Sequence, residues 1–480
     1  MNKFVFASVL LTLLTACSQH NTTPPKQDLS PVVPPQWNTH SLSATEVLQQ
    51  PHWWTAFHDP ALDKLIIQIL EKNNDLAVAA LKVKQARLNA GLTATNLTPD
   101  VSTSVTAMRQ KSWKESADNN ANEVTPPSDN QQGASQEGSG SSTGMTMYGS
   151  SLSISYELDL WGKLADERAA ANFEAEATEQ DRQASALSLI GTAATLYWKQ
   201  GYLNELIRLN QQSLTYTQKS LAIAQVHYQT GADSKLDVLQ AEQSVANQQA
   251  TLESLLLQRE ENQNALAILL DQPPENALPL PSSLPATSLP AIPQGLPASV
   301  LSQRPDVKAA ELRVRSEYAT QQYTAKSYYP TFSLTGALST SSSQLHQALQ
   351  NPTGSVGAGL TLPFIEWQTV RLNSEKQQVV YEQAVHNFRQ TFYTALSEVE
   401  NQLSARQHYL NAATHLSHSL ALARQTEKIT EVRYRSGDLE MLDWLEQQEN
   451  RRSAEKEVLE NHYQQLTTQL ALYQALGGVI

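Results

Sequence analysis

The segment VHYQTGADSKLDVL, residues 226–239, returns 206 positions later as VRYRSGDLEMLDWL. Val226, Tyr228, Gly231, Leu236, Asp237 and Leu239 correspond to Val432, Tyr434, Gly437, Leu442, Asp443 and Leu445. Upstream, Asp75, Ala79, Leu81, Val83 and Pro99 recur as Asp306, Ala310, Leu312, Val314 and Pro330, at an offset of 231. The offset changes across 110–144, a polar, low-complexity stretch, so the first copy carries a long loop there. Solenoid repeats run at about 20 to 50 residues, so a period of this size means tandem duplication of one large unit. Whatever the chain folds into must contain each element twice.

The elements themselves follow from periodicity. The region 62–92 has helical apolar spacing and predicts one helix. Val101, Thr103, Val105 and Ala107 alternate with Ser and Thr, as a half-buried strand does. Leu152, Ile154, Tyr156, Leu158 and Leu160 interleave with Ser151, Ser153, Ser155, Glu157 and Asp159. Phe332, Leu334 and Leu338 form a third alternating segment; Val356, Ala358, Leu360, Leu362 and Phe364 form a fourth. Strands of about ten residues suit a tilted bilayer crossing. Four of them cannot close a barrel, and open edges are not viable in lipid. Two copies of the chain would supply eight strands and three copies twelve.

Between the strands the chain becomes helical at unusual length. Residues 163–229 lack proline, with glycine only at Gly191 and Gly201, and Leu189, Leu196 and Leu203 recur at seven. The matching stretch 369–435 lacks both residue types and repeats Val385, Phe392 and Val399 at seven. This is a coiled-coil seam, and at about 1.5 Å per residue each helix reaches roughly 100 Å. Gly231 and Gly437 suit the left-handed residue after a helix end, with Asp233 or Ser234, and Asp438, as caps for the helix that follows. The shorter helices 62–92 and 235–270 together match one long helix and are expected to stack end to end beside it. The proline-rich 271–297 is an extended link between the halves.

The N-terminus is a processing signal. Met1-Asn2-Lys3 is followed by an apolar run, Phe4–Leu14, too short to span a bilayer. Leu14-Thr15-Ala16-Cys17 resembles the bacterial lipobox, which implies cleavage before Cys17 and lipidation there. Ser18, in place of the aspartate that retains many lipoproteins in the inner membrane, favours the outer membrane. An ordinary signal peptide with an incidental cysteine is the alternative. The formal net charge is −13, which argues against nucleic acid as a partner. Only 40% of residues are hydrophobic, in keeping with wetted helices rather than a thick core.

Taken with the YELDLWGK run (156–163), QRPDV (303–307) and the two glycine-centred turns, the chain resembles TolC-type outer-membrane efflux factors of the lipoprotein branch over essentially all of 53–477. The resemblance implies a homotrimer, a 12-stranded barrel with four strands per chain, and a periplasmic α-barrel closed at its tip. It also implies a periplasmic adaptor and an inner-membrane transporter as partners. The family's tip acids fall on Asp237, Asp443 and Glu446, and its tip tyrosine on Tyr434, which could contact Asp237. The family's arginine position holds Leu439, so that lock is missing or is supplied by Arg433 or Arg435. The turn at 363–368 also lacks the glycines commonly found there. For Asp237 and Asp443, ordinary helix capping stands beside the gate role; Glu446 lies a turn inside the helix.

The expected fold class is therefore α+β, mostly α. The expected organisation is a signal peptide at 1–16, a lipid-anchored tether at 17–60, a first repeat at 61–272, a linker at 273–298 and a second repeat at 299–477. The expected function is a passive outer-membrane exit duct of a tripartite efflux system, reaching into the periplasm; a structural coiled-coil envelope lipoprotein without a pore is the alternative. No nucleophile–base pair, Walker pattern or strong metal spacing stands out, so neither enzyme activity nor a cofactor is expected beyond the lipid on Cys17. His415 and His418, at i and i+3, read as a solvated coincidence. Trp37, Trp53 and Trp54 read as packing or membrane-proximal residues.

Overall fold

The computed structural model describes residues 52–111, 144–232, 234–274, 280–286 and 298–478. Cys17, the signal peptide, residues 17–51 of the tether, Trp37 and Asp233 lie outside the described residues. The chain divides into two compact units: a helical one, Met1–Ala90, Ala169–Thr320 and Gln377–Ile480, and a sheet-containing one, Gly91–Arg168 and Gln321–Lys376.

Among the described residues there are seven α-helices and four strands. In chain order these are α1 (Pro60–Lys72), α2 (Asn74–Ala94), β1 (Asp100–Lys111), β2 (Gly144–Leu158), α3 (Lys163–Gln229), α4 (Lys235–Leu269), α5 (Pro305–Lys326), β3 (Thr331–Ser342), β4 (Pro352–Thr361), α6 (Trp367–Arg435) and α7 (Met441–Ala475). The long helices α3 and α6 have 67 and 69 residues. Leu160, Leu362 and Phe364, which continue the strand alternation in sequence, fall just beyond the strand ends.

The sheet is antiparallel in the order β1-β2-β3-β4, so the two copies meet at the β2–β3 pair. Register sorts its side chains cleanly. One face carries Val101, Ile154 and Val356 in a row, then Leu152 with Leu338, Tyr156 with Leu334, and Leu158 with Phe332 and Leu360. The other carries Ser102, Ser153 and Ser355, then Ser104, Ser151 and Ser339. Hydroxyl pairs tie that face across strands, with Ser102 to Ser153 at 2.6 Å and Ser104 to Ser151 at 2.8 Å. The apolar face stays uncovered: Val356 is 94% exposed and Val105 87%. No described helix is long and apolar enough to cross a membrane.

In the helical unit the core gathers Trp53, Trp54 and Phe57 with Trp198 of α3 and Tyr473 of α7. Trp53 and Trp54 are thus packing residues. Both glycines of α3 sit where another segment approaches closely. A Cβ on Gly191 would meet the Gln474 side chain, whose amide donates to the Leu187 carbonyl at 2.8 Å. A Cβ on Gly201 would lie 2.6 Å from the Ser283 carbonyl oxygen, where the proline-rich link crosses. That crossing is held by Asn204 donating to Pro281 O and by the Leu284 amide donating to Glu205.

The single helix expected over 62–92 is two helices. Asn73 is extended, with φ −66° and ψ 126°. Its amide NH closes α1 on Ile69 O, and its side-chain oxygen accepts from the Leu76 amide to start α2. The Asn73 amide group also donates to Leu269 O, the last residue of α4. The end-to-end partner of α4 is therefore α2, while α1 turns aside and buries Leu62, Leu65, Ile66 and Ile69, each worth about 1.5–3 kcal/mol. The second copy repeats the joint with a different side chain. Arg304 of QRPDV, at the position equivalent to Asn73, donates to Ala475 O at 3.0 Å, equivalent to Leu269 O. It also pairs with Asp306 and Glu398, each at 2.7 Å.

Candidate gate at the hairpin apex

Two helical hairpins, α3–α4 and α6–α7, end in the same backbone device. Gly231 has φ +81° and Gly437 φ +77°. After α3 the Gly231 amide reaches Tyr228 O and the Ala232 amide reaches His227 O; after α6 the Gly437 amide reaches Tyr434 O and the Asp438 amide reaches Arg433 O. Both are Schellman turns. A Cβ at either glycine would meet nothing within 4 Å, so the left-handed backbone alone selects glycine.

Past the turns the hairpins diverge. Ser234 caps α4 in a reciprocal box: its hydroxyl accepts from the Asp237 amide, and the Asp237 carboxylate accepts from the Ser234 amide at 2.8 Å. At the equivalent place in the second copy, Glu440 caps α7 without any side-chain bond. Asp443 and Glu446 are both exposed, on one face of α7 by their i, i+3 spacing. Neither has a hydrogen-bond or ion-pair partner among the described residues. Capping accounts for where the Asp237 carboxylate points, and it does not account for Asp443.

The hairpins are brought together by a small apolar cluster. Ala224, Val238, Ala241, Tyr434, Met441 and Trp444 are its buried members, and Tyr216, Leu221, Ile223, Leu439 and Leu445 pack against it. The Tyr434 ring stacks on His227 of α3 at 5.3 Å and on Trp444 of α7 at 5.1 Å. Tyr434 thus bridges the two copies through its ring, while the capping box engages Asp237. Leu439 belongs to the cluster, as befits an apolar residue in place of arginine. Arg433 pairs with Asp438 at 2.9 Å and Arg435 with Glu431 at 2.7 Å, both within the second hairpin.

Sequence reasoning missed Trp444 and His227. Trp444 was findable: it matches Val238, so both copies place an apolar residue directly after the tip aspartate. It also missed Tyr216. Burial, with Glu427 and Glu431 close to its hydroxyl, holds that phenol well above its usual range. His415 and His418 are exposed, and no group of three or more candidate metal ligands occurs among the described residues.

The family described as outer membrane efflux protein matches residues 65–271 and 296–478. An uncharacterized protein of Haemophilus influenzae is 30% identical over 89% of each chain. The pyoverdine export outer membrane protein OpmQ of Pseudomonas putida is 29% identical over 97% of this chain and 95% of its own. The cation efflux system protein CusC of Escherichia coli O157:H7 is 26% identical over 97% of this chain and 96% of its own. A crystal structure of CusC superposes with a TM-score of 0.80 at 23% identity, covering 95% of this chain and 99% of that one.

Proposed function

The chain belongs to the outer membrane efflux protein family, and from that premise we propose that three copies form an outer-membrane exit duct gated at the hairpin apex. It is a transport protein of the outer membrane and not an enzyme. What supports completion by further copies is the sheet, with four strands, one uncovered apolar face and two outer edges, β1 and β4, each paired on one side only; the resemblance to the family selects three. Three such sheets joined β4 to β1 make twelve strands with the apolar face toward lipid and the hydroxyl face inward. Cys17 carries the lipid that anchors the mature N-terminus. Opening is driven by a periplasmic adaptor that engages the apex and by an inner-membrane transporter that supplies the energy.

At the apex, Asp443 and Glu446 of three chains form a ring of carboxylates, and Tyr434 with the Asp237-capped hairpin holds the ring closed. The two named relatives differ in cargo, pyoverdine for one and cations for the other, on one shared fold. That pattern fits a duct that passes what its transporter delivers. The experiment is native mass spectrometry of the purified protein together with planar-bilayer recording. The expected result is a trimer that conducts in brief openings. A stable, properly inserted monomer, or a trimer without conductance, refutes it.

A further inference from the structure

The hydroxyl face of the sheet changes character at one end. In register on that face, Ser102 lies opposite Ser153, Ser104 opposite Ser151 and Thr106 opposite Gly149. The next two rows are Met108 opposite Met147, and Gln110 opposite Met145. This is the end remote from the helices, since α2 enters β1 at Asp100 and α3 leaves β2 beyond Leu158. Three of the five methionines of the chain are in this patch. Of the other two, Met1 opens the signal peptide and Met441 is buried in the apex cluster.

Packing does not account for them. Methionine ordinarily fills gaps in a core, but Met108 is 62% exposed, Met145 59% and Met147 42%. The other large apolar side chains of the sheet keep to the opposite face, as Val101, Val105, Leu152 and Ile154 do. What methionine has and those residues lack is a soft, polarizable sulfur. Opposed Cα atoms in an antiparallel pair are about 4.5–5.5 Å apart, and Met145 and Met147 are about 6.4–6.8 Å apart along their strand. Three rotatable bonds in each side chain let the three sulfurs converge on one ion.

We propose that Met108, Met145 and Met147 form a binding site for a soft monovalent cation, Cu(I) or its heavier congener Ag(I). Thioether ligands select such ions, whereas hard cations require oxygen ligands and carboxylates above all. The adjoining rows supply Thr106, Gly149 and Gln110, none of them charged, and alternation puts Arg109 on the other side of the pleat. A thioether has no proton to lose, so binding persists at a pH where histidine sites release their metal. The site follows from the sheet itself. Its place on the inner wall, at the outer mouth, rests on the duct proposed above, and there it is the last set of soft ligands that a departing ion meets.

Silver nitrate titrated calorimetrically into the purified full-length protein, in chloride-free buffer at about pH 5, tests it. Histidine, with its usual pKa of about 6.5, is then protonated and does not compete. The variant is Met108→Leu with Met145→Leu and Met147→Leu, which keeps volume and apolarity and removes only sulfur. Its affinity for Ag(I) falls about tenfold or more, at least what losing an outer partner costs a metal site. Affinity equal to wild type overturns the proposal, since Cys17 and the histidines are common to both chains. Zinc nitrate gives no heat that depends on the three methionines; zinc bound there as tightly as silver overturns the selectivity. A second measurement needs no variant. In the wild-type protein, Ag(I) protects these three methionines from oxidation by peroxide, read by peptide mass spectrometry, and potassium nitrate does not; oxidation unchanged by Ag(I) overturns the site. A chain that binds Ag(I) through these methionines and conducts nothing keeps the site and loses the duct. A conducting trimer that binds Ag(I) no better than the triple variant keeps the duct and loses the site.

Discussion

The hairpin turning at Gly231 and the one turning at Gly437 share a backbone and little else. Tyr228 and Tyr434 occupy equivalent places, but Tyr228 is 47% exposed, with Lys235 over its ring at 5.8 Å, while Tyr434 is 2% exposed between His227 and Trp444. Trp444 stands where the first copy has Val238, and Glu440 with an unpaired Asp443 stands where the first copy has the Ser234–Asp237 box. Duplication kept the turn, which glycine and hydrogen bonding enforce locally. The side chains then divided the work. The first hairpin satisfies its own helix start with its own side chains, and the second leaves carboxylates unpaired at the surface.

The comparison breaks most readily at the tryptophan. Trp444→Ala should cost about 3–5 kcal/mol of local stability by emptying the apex cluster, against about 1.5–3 for Val238→Ala. Hydrogen exchange should show 434–446 opening well before 228–240; equal protection in the two variants would mean the hairpins are interchangeable. Next comes the acid ring. Asp443→Ala with Glu446→Ala should weaken block by divalent or trivalent cations about tenfold, or about 1.4 kcal/mol, in bilayer recordings. Asp237→Ala should leave block unchanged, because that carboxylate is occupied in its cap. Unaltered block in the double variant would make Asp443 and Glu446 ordinary surface residues.

The caps sharpen the contrast at smaller scale. Ser234→Ala should destabilise the start of α4 by about 1 kcal/mol, whereas Glu440→Ala should leave thermal unfolding almost unmoved. The smallest effect tests the other pair of helix ends. Asp271 closes α4 with φ +54° where Gly477 closes α7 with φ +75°. Asp271→Gly should therefore be close to neutral, because relief of the left-handed backbone offsets loss of the bond that Asn74 donates to the Asp271 carboxylate at 2.7 Å, while Gly477→Ala should destabilise by about 1 kcal/mol or more from the backbone alone. The latter is aggravated by Arg304, whose atoms would lie 3.0–3.2 Å from the new Cβ. Similar melting shifts for both would show that the left-handed position is not what distinguishes these ends.

Much of this was legible in one dimension. The bounds of α3 came directly from the absence of proline and from the glycine after its end, and those of α4 and α6 came within two residues. The four strands came from alternation, because a pleated strand with one apolar face cannot hide its period. The helix break at Asn73 was not legible: Asn is tolerated within helices, and here its backbone is extended while its side-chain amide donates to Leu269 O, a residue far away in the chain. The cap that occupies Asp237 was half legible, since Ser234 and Asp237 have capping-box spacing, but the same aspartate also fits a gate.

What the sequence alone determined is most of what acts over a few residues: the duplicated units, the lengths of the two long helices, the turn glycines and the strand faces. What only the tertiary structure decided is which of two equivalent residues is buried and which charges meet. Tyr434 is covered and Tyr228 is not because the two hairpins pack asymmetrically, with Trp444 filling the space beside only one of them. The Arg451 guanidinium finds the Tyr216 ring from 235 positions away in the chain. Local rules read periodicity and backbone preference, whereas burial and ion pairing depend on neighbours that sequence distance does not encode.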